Sequence, residues 1–472
     1  MRASILLSCL AGLAGVTATA PVCILGAGPS GLASALRLAE KGITDVVIFD
    51  KKDGPGGKTE NWVSPEGFNH HIGAIFGDTT MYPLSIELLD KFNVERPLIA
   101  LPQEYFYNVE TGTILDASTL PSNATAAVAA MQRYAAVYAK YAAYIRPGFP
   151  NGVPAEIAAP MAAFVAANHL EPLLPLFHVY LTACGYGSLH DLPTMHALAY
   201  IKPSLFVQFA THQSTIFITD YHLLFAKIAS SLTHATFRYS ATIASMDRRA
   251  DGASIMYTVN GKGPQTQACA SIINTIPHRL DLLQPLGLDA QEVDVFKHVE
   301  TVQYFTTVWT LDHVEPQHQY SNQLQLTGNA AKPLAFGEPL GDGAPVIFYT
   351  QPSDTKYFNV YSYKRGKDVI SLENVTALAQ STLSQLNKNV SEPGAVATPL
   401  TAADLRFSKS WDYFAHVSPT TVANGWHAAL AKLQGHRSTY HTGAVRFMET
   451  VECSIASAFD LVDTYFSSHP AC

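Results

Sequence analysis

Charge is scarce in this chain. Of its 472 residues only 14% are Asp, Glu, Lys or Arg, while 48% are hydrophobic, a balance that fits a large buried core. The 30 basic residues fall short of the 38 acidic ones, the net charge is −8, and no basic cluster exceeds a few residues. Nucleic acid is therefore not an expected partner. The six cysteines form no C-x-x-C and no Cys/His ligand spacing, so no zinc site is read and no metal is expected. After the first 20 residues no run approaches the roughly 18 apolar residues of a spanning helix, so no membrane span is expected in the mature chain. Internal repeats and low-complexity linkers are also missing; length alone suggests two to three domains.

What is present begins with MRASILLSCLAGLAGVTATA at residues 1–20. Arg2, an apolar core from Ile5 to Val16 and a small-residue end read as a secretory signal peptide. Three N-x-[ST] sequons, at Asn123, Asn374 and Asn389, fit a secretory route. Removal of Cys9 with the signal leaves an odd number of cysteines, and at least one stays unpaired. Cys23, within an apolar run, reads as a buried thiol, and a pairing among Cys184, Cys269 and Cys472 stays open.

The stretch from Val22 to Lys58 organises the rest. An apolar run, Val22 to Leu25, precedes Gly26, Gly28 and Gly31 in G-x-G-x-x-G spacing; Pro29 and Ser30 lie inside the motif. A helical pattern follows to Lys41, then a second apolar run, Val46 to Phe49, ending in Asp50. Strand, tight turn, helix, strand and acid together give the motif its meaning as a dinucleotide site. The glycines allow the turn, the approach of a pyrophosphate and close helix packing, and the helix N-terminus favours phosphate. Asp50 stands where a carboxylate accepts from a ribose. Lys51 follows, then Gly56-Gly57-Lys58, two residues without side chains and one able to offset phosphate charge.

This acid, spacer and G-G-[RK] arrangement resembles the FAD-dependent amine oxidase and phytoene desaturase superfamily. The pattern is most similar to the beta-cyclopiazonate dehydrogenase family, secreted or ER-routed fungal-type FAD oxidoreductases often tied to secondary metabolism. The resemblance implies FAD as cofactor and oxidation of a C–H bond, in some members with ring closure. It implies that Gly56, Gly57 and Lys58 lie along the pyrophosphate and ribityl chain. Ile243 falls where a residue contacts adenine through its backbone, and Gly443-Ala444 where a turn leads into a helix whose N–H groups face the flavin. His71 stands where the superfamily usually carries an acid, and Asp220-Tyr221 where it commonly carries a glycine. A histidine there can donate to the ring or act as acid or base near neutral pH; the plainer reading is a hydrogen-bonded structural histidine. A covalent flavin link through His71 or Cys453 is conceivable and not favoured.

Residues 81–214 lose nucleotide-binding signals, and Ala-rich helical patterns such as 126–144 read as a cap. Apolar stretches at 302–311 and 346–349 read as a sheet flooring a substrate domain. The expected fold is therefore α/β: a discontinuous Rossmann-like FAD-binding domain (21–80, 215–285, 430–472) with an inserted α+β substrate domain (81–214 and 286–429), a mixed sheet plus helical cap. Tyr186, Trp411 and His416 are candidate pocket residues beside His71; ordinary aromatic packing is the alternative for each. No second G-x-G-x-x-G in strand–helix context serves a nicotinamide. The expected reaction is hydride transfer from a small, apolar substrate to flavin N5, with molecular oxygen as acceptor. A flavin-bound isomerase or cyclase would take up no oxygen, and a non-catalytic protein retaining the fold would purify colourless.

Overall fold

The computed structural model describes residues 20–467 apart from 101, 110–111, 120–122, 207, 209–210, 212, 323–335, 337–339, 352–355, 367 and 387–397. The signal peptide, the Asn389 sequon and Cys472 lie outside the described residues.

Two sheets carry the architecture. The first is a five-stranded parallel sheet in the order Thr439–His441, Ser271–Asn274, Val22–Leu25, Val46–Phe49 and Thr236–Arg238. Val22–Leu25 and Val46–Phe49 are buried at every position, which is why both read as unbroken apolar runs rather than as alternation. The glycine helix Pro29–Glu40 and the C-terminal helix Val451–Tyr465 pack together on this sheet. Thr450 caps the latter by accepting from the Cys453 N–H at 3.0 Å. An antiparallel meander (Ala241–Arg249, Gly252–Val259, Gln265–Cys269) adjoins it.

The second sheet has seven strands in the order Leu405–His416, Glu300–Thr310, Tyr357–Lys364, Pro345–Thr350, His318–Asn322, Gln103–Tyr107 and Ile114–Asp116. Cross-strand partners share a face. The register sets Glu104 opposite Gln319 and Gln319 opposite Tyr349. It also sets Ile347 opposite Tyr361, and Tyr361 opposite Thr306. One face thus carries Glu104, Gln319, Tyr349, Tyr361 and Thr306, with Ile347 among them.

Two expectations are corrected. Residues 81–214 are not purely a cap, because Gln103–Tyr107 and Ile114–Asp116 complete the second sheet. Cys23 is not a thiol: it is disulfide-bonded to Cys269, with Cα atoms 5.7 Å apart. Cys269 ends the strand that leads into Ser271–Asn274, and Ile272 pairs directly with Cys23, so the chain returns Cys269 over its partner. Glu452, the acid in the first turn of the C-terminal helix, also accepts from the N–H groups of Leu84 and Ser85 at 3.1 and 2.8 Å, capping the helix Pro83–Lys91. Asp220, the departure from the glycine pattern, is an N-cap that accepts from the Leu223 N–H at 2.8 Å.

Candidate active site

The glycine turn is built from backbone contacts. A Cβ on Gly31 would stand 1.9 Å from the Gly26 carbonyl oxygen, so no side chain fits under the turn. Gly28 differs: its backbone is ordinary extended (φ −83°, ψ −174°), and a Cβ there would meet only the Gly57 Cα, at 3.6 Å. The fold therefore tolerates a side chain at Gly28, and what needs the space is a ligand on the cavity wall. Gly57, at φ +57°, lies against Gly28, so the two glycine signatures pack on each other; Gly56 fastens them by donating to the Ala27 carbonyl at 2.9 Å. The glycine helix has no side-chain cap and no acid in its first turn. Its free N–H groups suit an anion. Asp50 accepts from the Ala27 and Lys52 N–H groups at 2.7 and 2.8 Å, which fixes the carboxylate and leaves further lone pairs for ribose hydroxyls.

From this turn a single cavity of about 1700 Å³ runs into the second domain. That exceeds the roughly 300–1,000 Å³ typical of one ligand pocket, leaving room for a dinucleotide and a substrate together. Gly26, Gly28, Pro29, Ser30, Asp50, Lys51 and Ile243 line its nucleotide end; Gly57, Lys58, Gly443 and Ala444 line its middle. Gly31 and Gly56 lie behind this wall. These residues fit an extended FAD with its pyrophosphate over the glycine turn, its ribose on Asp50 and its ring toward Gly443-Ala444.

Lys58 does not stand free for phosphate. Its ammonium pairs with Glu449 and donates to the Asp412 carbonyl at 2.7 Å, tying the second glycine motif to the segment before the C-terminal helix. The other Glu449 oxygen, Oε2, is buried without a hydrogen-bond partner among the described residues, an acceptor on the same wall.

The far half is aromatic. Tyr186 lines it and donates to the Glu449 carbonyl at 2.8 Å. Its ring is 5.5 Å from Tyr413, which is 4.7 Å from Tyr304, itself 5.8 Å from Tyr361. Trp411 also lines the cavity, donating to Thr306 at 3.2 Å beneath the ammonium groups of Lys52 and Lys409. Burial holds the Tyr186, Tyr304 and Tyr413 phenols well above their ordinary value and pushes Tyr361 to about 12. These groups stay protonated and act as hydrogen-bond donors.

Three candidates fall outside. His71 does not line the cavity: the hairpin register pairs it with Asn61, whose Oδ1 lies 2.9 Å from His71 Nδ1. Burial lowers its pKa, against the pull of Asp220. Its neighbours Ile72 and Gly73 form the wall instead. His416 is held by the Phe414 carbonyl at 2.7 Å and stacked on the Phe414 ring at 4.4 Å. Cys453 is a buried helix thiol, 3.9 Å from the Ala199 carbonyl, and burial raises it to about 12. Neither His71 nor Cys453 is placed for a covalent flavin link.

Sequence reasoning missed Glu104, Tyr180, Gln208 and the Tyr304–Tyr361 row, all on the cavity wall. Glu300–Thr310 is buried along most of its length without alternation, so it gave no facing signal for Tyr304, and Glu104, in a five-residue strand, offered almost none.

A family model described as an NAD(P)-binding Rossmann-like domain matches residues 24–92. The FAD-dependent oxidoreductase dpasF of Apiospora sacchari is 26% identical over 459 residues, covering 90% of this chain and 88% of the relative. The FAD-dependent oxidoreductase dpchF of Colletotrichum higginsianum is 23% identical over 448 residues, with the same coverage. Among solved structures, a CLA-producing fatty acid isomerase from P. acnes superposes with a TM-score of 0.78 at 21% identity, over 95% of this chain and 99% of that one. Putrescine oxidase bound to putrescine superposes with a TM-score of 0.63 at 14% identity, over 94% and 99%.

Proposed function

We propose that this chain, an FAD-dependent oxidoreductase, is a member of the FAD-dependent amine oxidase superfamily and oxidises a C–H bond of a small, largely apolar substrate, with ring closure in the same turnover and molecular oxygen as the electron acceptor. The observation that carries this reading is the continuity of the cavity from the glycine turn to the tyrosine-lined chamber. FAD, when bound, supplies a ring that accepts a hydride at N5. The protein's share is positional. Gly28 and the uncapped helix hold the diphosphate, Asp50 the ribose, and the Lys58–Glu449 pair braces the wall between cofactor and substrate. Tyr186, Tyr304, Tyr361 and Tyr413 offer apolar faces and neutral hydroxyls, which orient a substrate without abstracting its proton. That suits loss of hydride rather than deprotonation, in a chamber from which a seated substrate displaces water.

Anaerobic titration with candidate metabolites tests the reading. A true substrate bleaches the flavin absorbance, and admitting oxygen restores it with stoichiometric oxygen uptake. Product formation without oxygen uptake would instead support a second reading, an isomerase without net redox change, which the likeness to the fatty acid isomerase favours.

We further propose a secretory route. The Cys23–Cys269 disulfide suits an oxidising compartment, and the sequon residues Asn123 and Asn374 are exposed. In addition to the leader read at residues 1–20, these support glycosylation during export, which a mass shift on glycosidase treatment would test.

A further inference from the structure

The end of the cavity remote from the glycine turn is polar, lined by Glu104, Tyr180, Gln208 and Gln319. Glu104 lies on Gln103–Tyr107, five strand steps across the second sheet from the strand that carries Trp411 and Tyr413. At about 4.8 Å per step this is roughly 24 Å. The Glu104 carboxyl accepts from Ser321 at 3.1 Å and takes a second hydrogen bond from the Gln319 side chain. Tyr180, on the same wall, takes a hydrogen bond from Gln208 Nε2 at 3.3 Å and lies within electrostatic reach of Glu104. Gln208 is buried (1% exposed), and its Oε1 has no partner among the described residues.

Among the described residues the cavity's lysines are Lys51, Lys52, Lys58 and Lys409, all on the nucleotide side or on the Trp411 strand, and no arginine lines it. A carboxylate brought to the Glu104 end would meet a carboxyl group and an amide oxygen with no lysine or arginine among the described residues to offset it, and burying an unpaired charge is costly. An ammonium would have to be desolvated beside a carboxyl that burial already raises to about 7, and a buried ion pair often fails to repay that desolvation. A neutral donor carries no such cost, and it satisfies the buried Gln208 oxygen that otherwise stays unpaired among the described residues.

We propose that the substrate carries, at the end remote from the oxidised carbon, an uncharged hydrogen-bond donor such as a hydroxyl, seated on Glu104 with Tyr180 and Gln208, and that carboxylates are rejected there. The inference rests on the oxidoreductase reading, whose cavity it divides into a reacting end and an anchoring end.

Equilibrium dialysis of the flavin-loaded protein against decan-1-ol, decanoate and decylamine at neutral pH tests it. Decanol binds at least about tenfold more tightly than either ionised probe. Glu104→Leu lowers decanol affinity by about tenfold or more with the flavin retained, and Glu104→Gln keeps most of it. Gln208→Leu weakens decanol in the same direction, and decides the matter if Glu104→Leu does not fold. Decanoate or decylamine binding as tightly as decanol, no binding of any probe, or decanol affinity unchanged in the folded variants would overturn the proposal. A preparation that never takes up FAD fails the underlying reading instead, so the two failures are distinguishable.

Discussion

Lys58 is ion-paired with Glu449 across the cavity wall, and its ammonium is spent there and on the Asp412 carbonyl rather than left for a phosphate. The pair joins the motif that follows the nucleotide strands to the last turn before the C-terminal helix. Removing only the cation leaves a largely buried carboxylate alone. Lys58→Met should therefore cost about 1–3 kcal/mol of stability in urea unfolding, and adding Glu449→Gln should recover most of it. FAD affinity should change less than stability; a large, salt-dependent loss of FAD binding with unchanged stability would return Lys58 to the phosphate.

Gly28 and Gly31 should respond oppositely to alanine. Gly31→Ala puts a methyl into the Gly26 carbonyl and should abolish soluble folding. Gly28→Ala should fold with apo stability within about 1 kcal/mol of the parent, because its backbone and surroundings accept a Cβ. Its FAD affinity should nevertheless fall by about 100-fold, roughly 2.7 kcal/mol. Fluorescence titration with FAD on both proteins reads the difference.

Reduction of Cys23–Cys269, which closes a long loop, should lower stability by about 2–5 kcal/mol. Cys23→Ser should reproduce the loss, and the variant should no longer respond to reductant. Thermal unfolding with and without reductant, beside thiol counting on the denatured parent, checks this.

Burial raises the Glu104 carboxyl from 4.5 to about 7, with hydrogen bonds from Ser321 and Gln319 pulling partly back. The folded chain therefore holds this proton more tightly than the unfolded chain. The stability Glu104 contributes is complete below its unfolded value and is lost as pH rises through about 7. Glu104→Gln should match the parent in acid and exceed it near pH 8 by at most about 3 kcal/mol. Urea titrations at both pH values decide it; equal stability at pH 8 would show the carboxyl to be freely hydrated.

Local chemistry was legible in the sequence and long-range facing was not. The turn from Val22 to Lys58 and the helix near Val451 are fixed by residues close in the chain, so glycines, apolar runs and caps announced them. Whether a side chain faces the cavity depends on strand register. His71 pairs with Asn61 and turns away, while the adjacent Ile72 forms the wall. Cys23 and Cys269 meet only because two distant strands become neighbours. Glu104 came without warning because the strand beside it, His318–Asn322, enters from far along the chain.

The central claim is that the glycine-lined end of the cavity holds FAD, without a covalent bond, beside a chamber for a second molecule. Acid precipitation of the purified protein, with flavin measured in pellet and supernatant against protein, tests it most directly. The expected result is one FAD per chain, all of it in the supernatant, since His71 and Cys453 both face away from the cavity. Protein that carries no flavin and binds none when FAD is added would contradict the account, and flavin retained in the pellet would contradict its geometry.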